Sequence, residues 1–219
     1  MTSRKGSKLS IPRGEQVRQR ILDAAEHLLR QGNAEFSMRD LAVESSVSFA
    51  TPFNQFGSKL AIMHALSGRR IDAMEALQRN SCPAGDAIDR VFFATEAATS
   101  VMMLEPVVNR AVMGSLGAPS TTPGTVLERS AKLWAMALGR GDGLSGAHRG
   151  EALGILPRQL AFGFRGVLSF WTAGELNDAE LEPAAKRVAA TLMRGFADPR
   201  RRKALTQMGI QHVSRALTR

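Results

Sequence analysis

The residues able to do chemistry are concentrated in one run, Ser37-Met-Arg-Asp-Leu-Ala-Val-Glu-Ser-Ser-Val-Ser-Phe-Ala-Thr-Pro-Phe-Asn-Gln-Phe-Gly-Ser-Lys59. It holds no nucleophile elbow and no metal-ligand spacing. Its chemistry is recognition: two short apolar-faced segments joined by a tight turn, then an aromatic anchor and a Ser-Lys pair. That is the pattern of a helix-turn-helix that reads a duplex. Small polar side chains left outward on its second segment suit a helix lying against a groove. An ordinary three-helix corner with no ligand has the same apolar pattern, so the spacing alone leaves both readings open.

The elements around this run must position it. A helix is expected from Arg13 to Arg30, with Val17, Ile21, Ala24, Ala25, Leu28 and Leu29 on one face and Gly32 ending it. Ser37 and Asp40 form a capping-box pattern for the next helix, which buries Met38, Leu41 and Ala42 and ends at Ser45-Ser46. Ser48 is a second cap candidate, opening a short helix from Phe49 to Gln55. Pro52 then falls at its fourth position, where it should cost a backbone bond or tighten the helix start. Phe36, Leu41, Val47, Phe53 and Phe56 are expected to pack on the first helix, because a helix this short does not persist alone.

The remaining 160 or so residues read as helix after helix. Helices are expected from Ser58 to about Asn80, from Pro83 to Leu104, between Pro106 and the Gly117-Ala118-Pro119 segment, and from Thr122-Pro123 to Gly139. A flexible loop spans Gly139 to Gly146. Helices from Ala147 to Ala173 and from Asn177-Asp178 to about Phe196 follow. The expected fold is all-α: a flexible basic arm (1–12), a three-helix domain (13–60), a larger helical domain (61–197) and a basic C-terminal tail (198–219) with weak helical periodicity.

Charge supports the division. The net charge is +9; residues 1–60 carry +3, residues 194–219 carry +6, and residues 61–193 balance at zero. A basic excess confined to the ends fits a phosphate-binding surface, although solubilising charge explains the tail equally well. With 44% hydrophobic residues the chain can bury a core. A single cysteine, Cys82, permits no internal disulfide and fits a reducing compartment. Leu153 to Thr172 is interrupted by Pro157, Arg158, Gln159 and Arg165, so no membrane span is expected and a cytoplasmic protein is.

Three stretches carry a family resemblance: Arg20-Ile-Leu-Asp-Ala-Ala-Glu, Phe36-Ser-Met-Arg-Asp-Leu-Ala, and Val47 through Lys59. In this order they are similar to the N-terminal domain of TetR-type transcriptional regulators, over residues 13–65. The resemblance implies DNA contacts at Ser37, Arg39, Ser48, Phe49, Ala50, Thr51, Phe53, Asn54 and Lys59. Arg39, Thr51 and Lys59 would hold phosphates, and Ser48, Phe49, Ala50 and Asn54 would face base edges. Phe53 stands where that family usually has a phosphate-contacting tyrosine. Pro52, Ser46 (for a turn glycine) and Gln55 (for histidine) also depart from its pattern.

In the larger domain, Met63, His64, Phe92, Phe93, Met102, Met103 and Trp134 are candidates for an apolar effector pocket, because methionine-rich surfaces adapt to varied guests. Leu160, Phe164, Leu168, Trp171, Val188 and Leu192 form apolar stripes suited to a four-helix dimer interface. Gly163 and Gly166 would permit close backbone approach there. A simple core explains either set as well, residue by residue. The resemblance implies a homodimer on a palindromic double-stranded operator, released by a small apolar or aromatic effector, with repression the usual mode. A protein-interaction module that has lost DNA binding is the rival, motivated by Pro52 and Phe53. An enzyme is the weaker one: Gly141-Asp-Gly-Leu-Ser-Gly146 matches a dinucleotide fingerprint but follows a helical segment, and no nucleophile elbow occurs. No cofactor and no metal are expected; His27, His64, His148, His212 and Cys82 have no ligand spacing.

Overall fold

The computed structural model describes residues 12–81, 83–117 and 124–216, the last nine of these by backbone alone. Within that range the chain is all-α, with one isolated bridge between Leu144 and Ala197. The expected basic arm falls, Pro12 apart, outside the described residues, as do Cys82, Ala118, Pro119, Thr122, Pro123 and the His212 side chain. The chain divides into two compact units, Met1–Ile62 and Met63–Arg219.

The first unit holds α1 (Arg13–Arg30), α2 (Met38–Glu44) and α3 (Ala50–Phe56). Ile21, Leu22, Ala25, Leu28 and Leu29 of α1 are buried, the spacing of one helical face. Phe36 and Leu41 are buried with them. Each such side chain stabilises by roughly 1.5–3 kcal/mol, which is what holds seven-residue helices that would melt in isolation. The α1 end is a Schellman turn: the Asn33 N–H donates to Leu28 O at 3.1 Å and the Gly32 N–H to Leu29 O at 3.0 Å, with Gly32 at φ 79°.

Helix α4 (Lys59–Ser81) begins in the first unit and continues into the second. Ser58 opens it, its Oγ accepting from the Ala61 N–H at 3.1 Å. The second unit contains α5 (Ala87–Leu104), α6 (Pro106–Ser115), α7 (Val126–Leu138), α8 (Arg149–Thr172), α9 (Asp178–Arg194) and α10 (Pro199–Ala216). Helix α8 packs on α7 and α9, α5 packs on the same two, α6 covers α8, and α10 lies along α9. Trp134 of α7 and Phe164 of α8 meet edge to face at 5.7 Å in this core. Gly163 permits the α8–α9 contact, since a Cβ there would sit 2.5 Å from Val188 Cγ1. Gly166 has no neighbour within 4 Å of such an atom, so only one of the two glycines serves close packing.

Two expectations are corrected here. Helix α5 starts at Ala87 rather than near Ala84, because Gly85 takes φ 102° and Asp86 then builds a capping box with Asp89. The segment 139–146 is not a loose loop. Leu144 is buried, the Ala87 N–H donates to Asp142 O at 2.8 Å, and the Asp198 N–H donates to Gly143 O at 3.0 Å. Arg90 completes the tie, donating to Asp142 Oδ2 and Gly85 O at 2.9 Å, Ala137 O at 3.0 Å and Leu138 O at 3.1 Å. It thereby satisfies carbonyls that the end of α7 would leave open. The basic tail, whose sequence carries weak helical periodicity, is a helix over its described length. Asp198 accepts from the Arg201 N–H, Leu205 is buried, and the Arg201 guanidinium bridges Asp86 and Asp89 at the start of α5.

Pro157 lies inside α8 without ending it. Among the described residues no single helix is long and apolar enough to cross a membrane; α5 and α6 pass that test together but turn by 104° between them.

Candidate functional site

The turn between α2 and α3 repeats the chemistry of the α1 end with a different residue. The Val47 N–H donates to Ala42 O and the Ser46 N–H to Val43 O, both at 3.0 Å. Ser46 occupies the glycine position at φ 52°, the only non-glycine with positive φ among the described residues. The expected Cβ in the turn is therefore accommodated by backbone strain rather than avoided.

Helix α3 begins one residue later than its sequence suggests. Ser48 does not cap it: its Oγ pairs with Thr51 Oγ1 at 2.7 Å, and no side chain bonds the helix start. Pro52 consequently becomes the third helical residue. Phe49 already has helical dihedrals (φ −52°, ψ −36°) and the Thr51 N–H donates to Ser48 O at 2.9 Å, so the helix start is tightened where Pro52 has no N–H to offer. Pro52 is also the buried residue of α3. Phe53, expected in the core, is instead 42% exposed, with its ring edge-on to Phe49 at 5.7 Å. The inner end of α3 is closed by Arg18, which donates to Gln55 O at 2.8 Å and lies 4.0 Å over the Phe56 ring.

This packing turns one face outward. Ser48, Phe49, Ala50, Phe53 and Asn54 are exposed and Thr51 is half-buried. Arg39 of α2 is exposed beside them and makes no hydrogen bond or ion pair among the described residues. Arg39, Ala42, Val43, Val47 and Phe49 line a shallow groove of about 310 Å³. Two other expected contacts are already engaged. The Ser37 hydroxyl donates to Asp40 Oδ2 at 2.8 Å and accepts the Asp40 N–H at 3.1 Å. The Lys59 ammonium donates to Ala34 O at 2.6 Å and sits 4.6 Å over the Phe36 ring. Asp40 is held below the usual carboxylate range by the Ser37 N–H, then by the Ser37 hydroxyl, with the Arg39 charge adding to both.

The second unit contains a cavity of about 270 Å³. Ile71, Met74, Met102, Leu133, Phe164 and Leu168 give it an apolar wall, and His64, Arg70 and Arg165 are the basic groups on it. Of the residues expected to bind an effector, His64 and Met102 line it. Met63 is buried away from it, Phe92, Phe93 and Met103 are half-buried elsewhere, and Trp134 borders a separate void of about 10 Å³. The linear pattern missed Arg70, Met113, Ser130 and Arg165, because the cavity is assembled from α4, α5, α6, α7 and α8, which are distant in sequence.

The residues expected at a dimer interface also need correction. Leu160, Phe164, Leu168 and Trp171 are buried within their own chain, and Val188 and Leu192 face Gly163 of α8. The apolar side chains that α8 presents to solvent are Ile155, Phe162 and Phe170, the latter two 48% and 55% exposed. Among the described residues no group of three His, Cys, Asp or Glu is placed to hold a metal.

A helix-turn-helix head and a larger helical unit enclosing an apolar cavity define the architecture. Solved structures share it. A TetR transcriptional regulator from Rhodococcus sp. RHA1 matches with TM-score 0.64 over 82% of this chain and 97% of that one, at 20% identity. A gamma-butyrolactone receptor, an ArpA-like protein, matches with TM-score 0.53 over 91% and 98%, at 15% identity. No protein-family model matches the chain, and no curated protein matches it in sequence. The chain thus has the fold of the TetR-type transcriptional regulators.

Proposed function

We propose that the protein is a DNA-binding transcriptional regulator that reads a palindromic operator as a homodimer and is released by a small effector. The observation that carries the reading is the outward face of α3. It offers Ala50 and Asn54 on one short helix, with Ser48 and the Phe49 ring at its start and the unpaired Arg39 beside it. Small side chains let such a helix enter a major groove, Asn reads adenine, and an aromatic ring meets a thymine methyl. Thr51 adds a hydroxyl for phosphate, since the Ser48–Thr51 pair leaves one hydroxyl proton unused. Lys59 keeps two further N–H donors for the same purpose.

The homodimer is supported by the exposed Ile155, Phe162 and Phe170 on α8, an apolar stripe that a second copy would cover. The effector is supported by the 270 Å³ cavity in the second unit. Two heads one helical turn apart multiply the affinity of one. An effector that favours a state with wrongly spaced heads lowers it. Repression is the mode proposed.

Selection of bound duplexes from a random pool tests the reading: a palindromic consensus is expected. Arg39→Ala should weaken binding evenly across sequences and reduce the salt slope by about one. Asn54→Ala should relax preference at one base position, worth roughly 1–3 kcal/mol. Val43, Phe49 and Phe53, all exposed, favour a second reading in which the head docks a protein. Absence of any salt-dependent duplex binding would select that reading.

A further inference from the structure

Two arginines reach the cavity of the second unit, and they differ in their partners. Arg70 donates through Nε to Asn109 Oδ1 at 2.6 Å, and its Nη2 lies 3.7 Å from Glu105 Oε2. A carboxylate of the chain meets its charge. Arg165 donates through Nη2 to the Met113 carbonyl at 3.0 Å and through Nη1 to Met113 Sδ at 3.4 Å. No carboxylate among the described residues lies within ion-pair distance of it. Its guanidinium is half-buried against the apolar wall, and burial holds it below its usual pKa while it stays cationic at neutral pH.

A positive charge pressed against apolar surface without a counter-ion is unfavourable, and supplying one at that point removes the penalty. The cavity therefore offers a bound molecule an apolar chamber with one unmatched cation at its wall. We propose that it takes a small monocarboxylic acid with an apolar ring or chain, its carboxylate received by Arg165. The planar guanidinium presents paired N–H groups that match a carboxylate. A phosphate would bring a second negative charge with no partner, so a monoanion is favoured. Size sets the body of the ligand. A cavity of about 150 Å³ holds benzene, so about 270 Å³ admits a benzene ring with a short acid chain, or a medium-length alkyl chain. Met74, Met102 and Met113 line the space and adapt to either shape.

This inference rests on reading the second unit as an effector domain, and the test separates the two. Full-length protein is titrated calorimetrically with 4-phenylbutyrate and octanoate, and with their primary amides, which keep shape and lose charge. The acids are expected to bind at least tenfold more tightly than the amides. Arg165→Met should abolish that preference by weakening the acids alone, and Arg165→Lys should restore part of it. Equal binding of acid and amide, or no binding of either acid, overturns the proposal. The wild-type acid–amide comparison decides even if Arg165→Met fails to fold. Duplex binding is then measured with the acids present. If they bind through Arg165 and leave duplex affinity unchanged, the effector reading fails and the carboxylate site stands. If acids and amides bind alike and both release the duplex, the effector reading stands and the carboxylate site falls.

Discussion

The two units build their polar contacts on different length scales. In the first, the side-chain pairs on the reading face are local, Ser37 with Asp40 and Ser48 with Thr51, each three residues apart, and the longer ties, Arg18 to Gln55 O and Lys59 to Ala34 O, end on backbone carbonyls. In the second, arginines join distant stretches of chain. Arg90 reaches Asp142, Arg110 reaches Asp178 while lying over the Trp171 ring, and Arg201 reaches Asp86 and Asp89. The Trp171 indole N–H also donates to Asp178, and with Arg110 it holds that carboxyl below its usual range. Local ties let a short head form with its outward side chains uncommitted. Long-range ties, the Arg70 pair with buried Asn109 among them, make the body a single network.

That contrast predicts unequal responses to substitution. Arg90→Met removes hydrogen bonds to three carbonyls and the pair with Asp142, so a loss of about 3 kcal/mol is expected in urea unfolding. A loss below about 1 kcal/mol would show that the body does not depend on its long-range ties. Ser37→Ala removes one local cap and should cost about 1 kcal/mol. The change should lie in the first unit alone, visible as faster amide exchange in α2. Ser46→Gly should stabilise the head by about 0.5 kcal/mol. Relief of the φ 52° strain outweighs the entropy that glycine adds to the unfolded chain. An acid titration gives the smallest effect. Asp40 has a depressed folded pKa, so its stabilisation is complete above the unfolded value and is lost as pH falls through the folded one. Asp40→Asn should flatten that part of the stability–pH curve.

The head was largely legible in the linear chain because its rules are local. The α1 face, the Gly32 stop and the Ser37–Asp40 box all follow from spacings of three or four residues. The start of α3 was misread because two hydroxyls, Ser48 and Thr51, chose each other over the backbone, a contest that propensity does not resolve. Pro52 faces inward and Phe53 outward. In the body, apolar stripes were visible but their destinations were not. A stripe such as Leu160, Phe164, Leu168 and Trp171 reads the same whether it faces its own chain or a second copy.

The sequence by itself determined an all-α chain, the helix-turn-helix outline and the basic excess at its ends, since periodicity, caps and charge are properties of neighbouring residues. Only the tertiary structure decided that the 139–146 segment is tied down and that the weakly periodic basic tail packs against α9. It also placed Phe162 and Phe170 outward on α8, and set Arg165 on the cavity wall without a carboxylate. These outcomes depend on which distant segments meet, and linear spacing carries no information about a partner fifty or a hundred residues away.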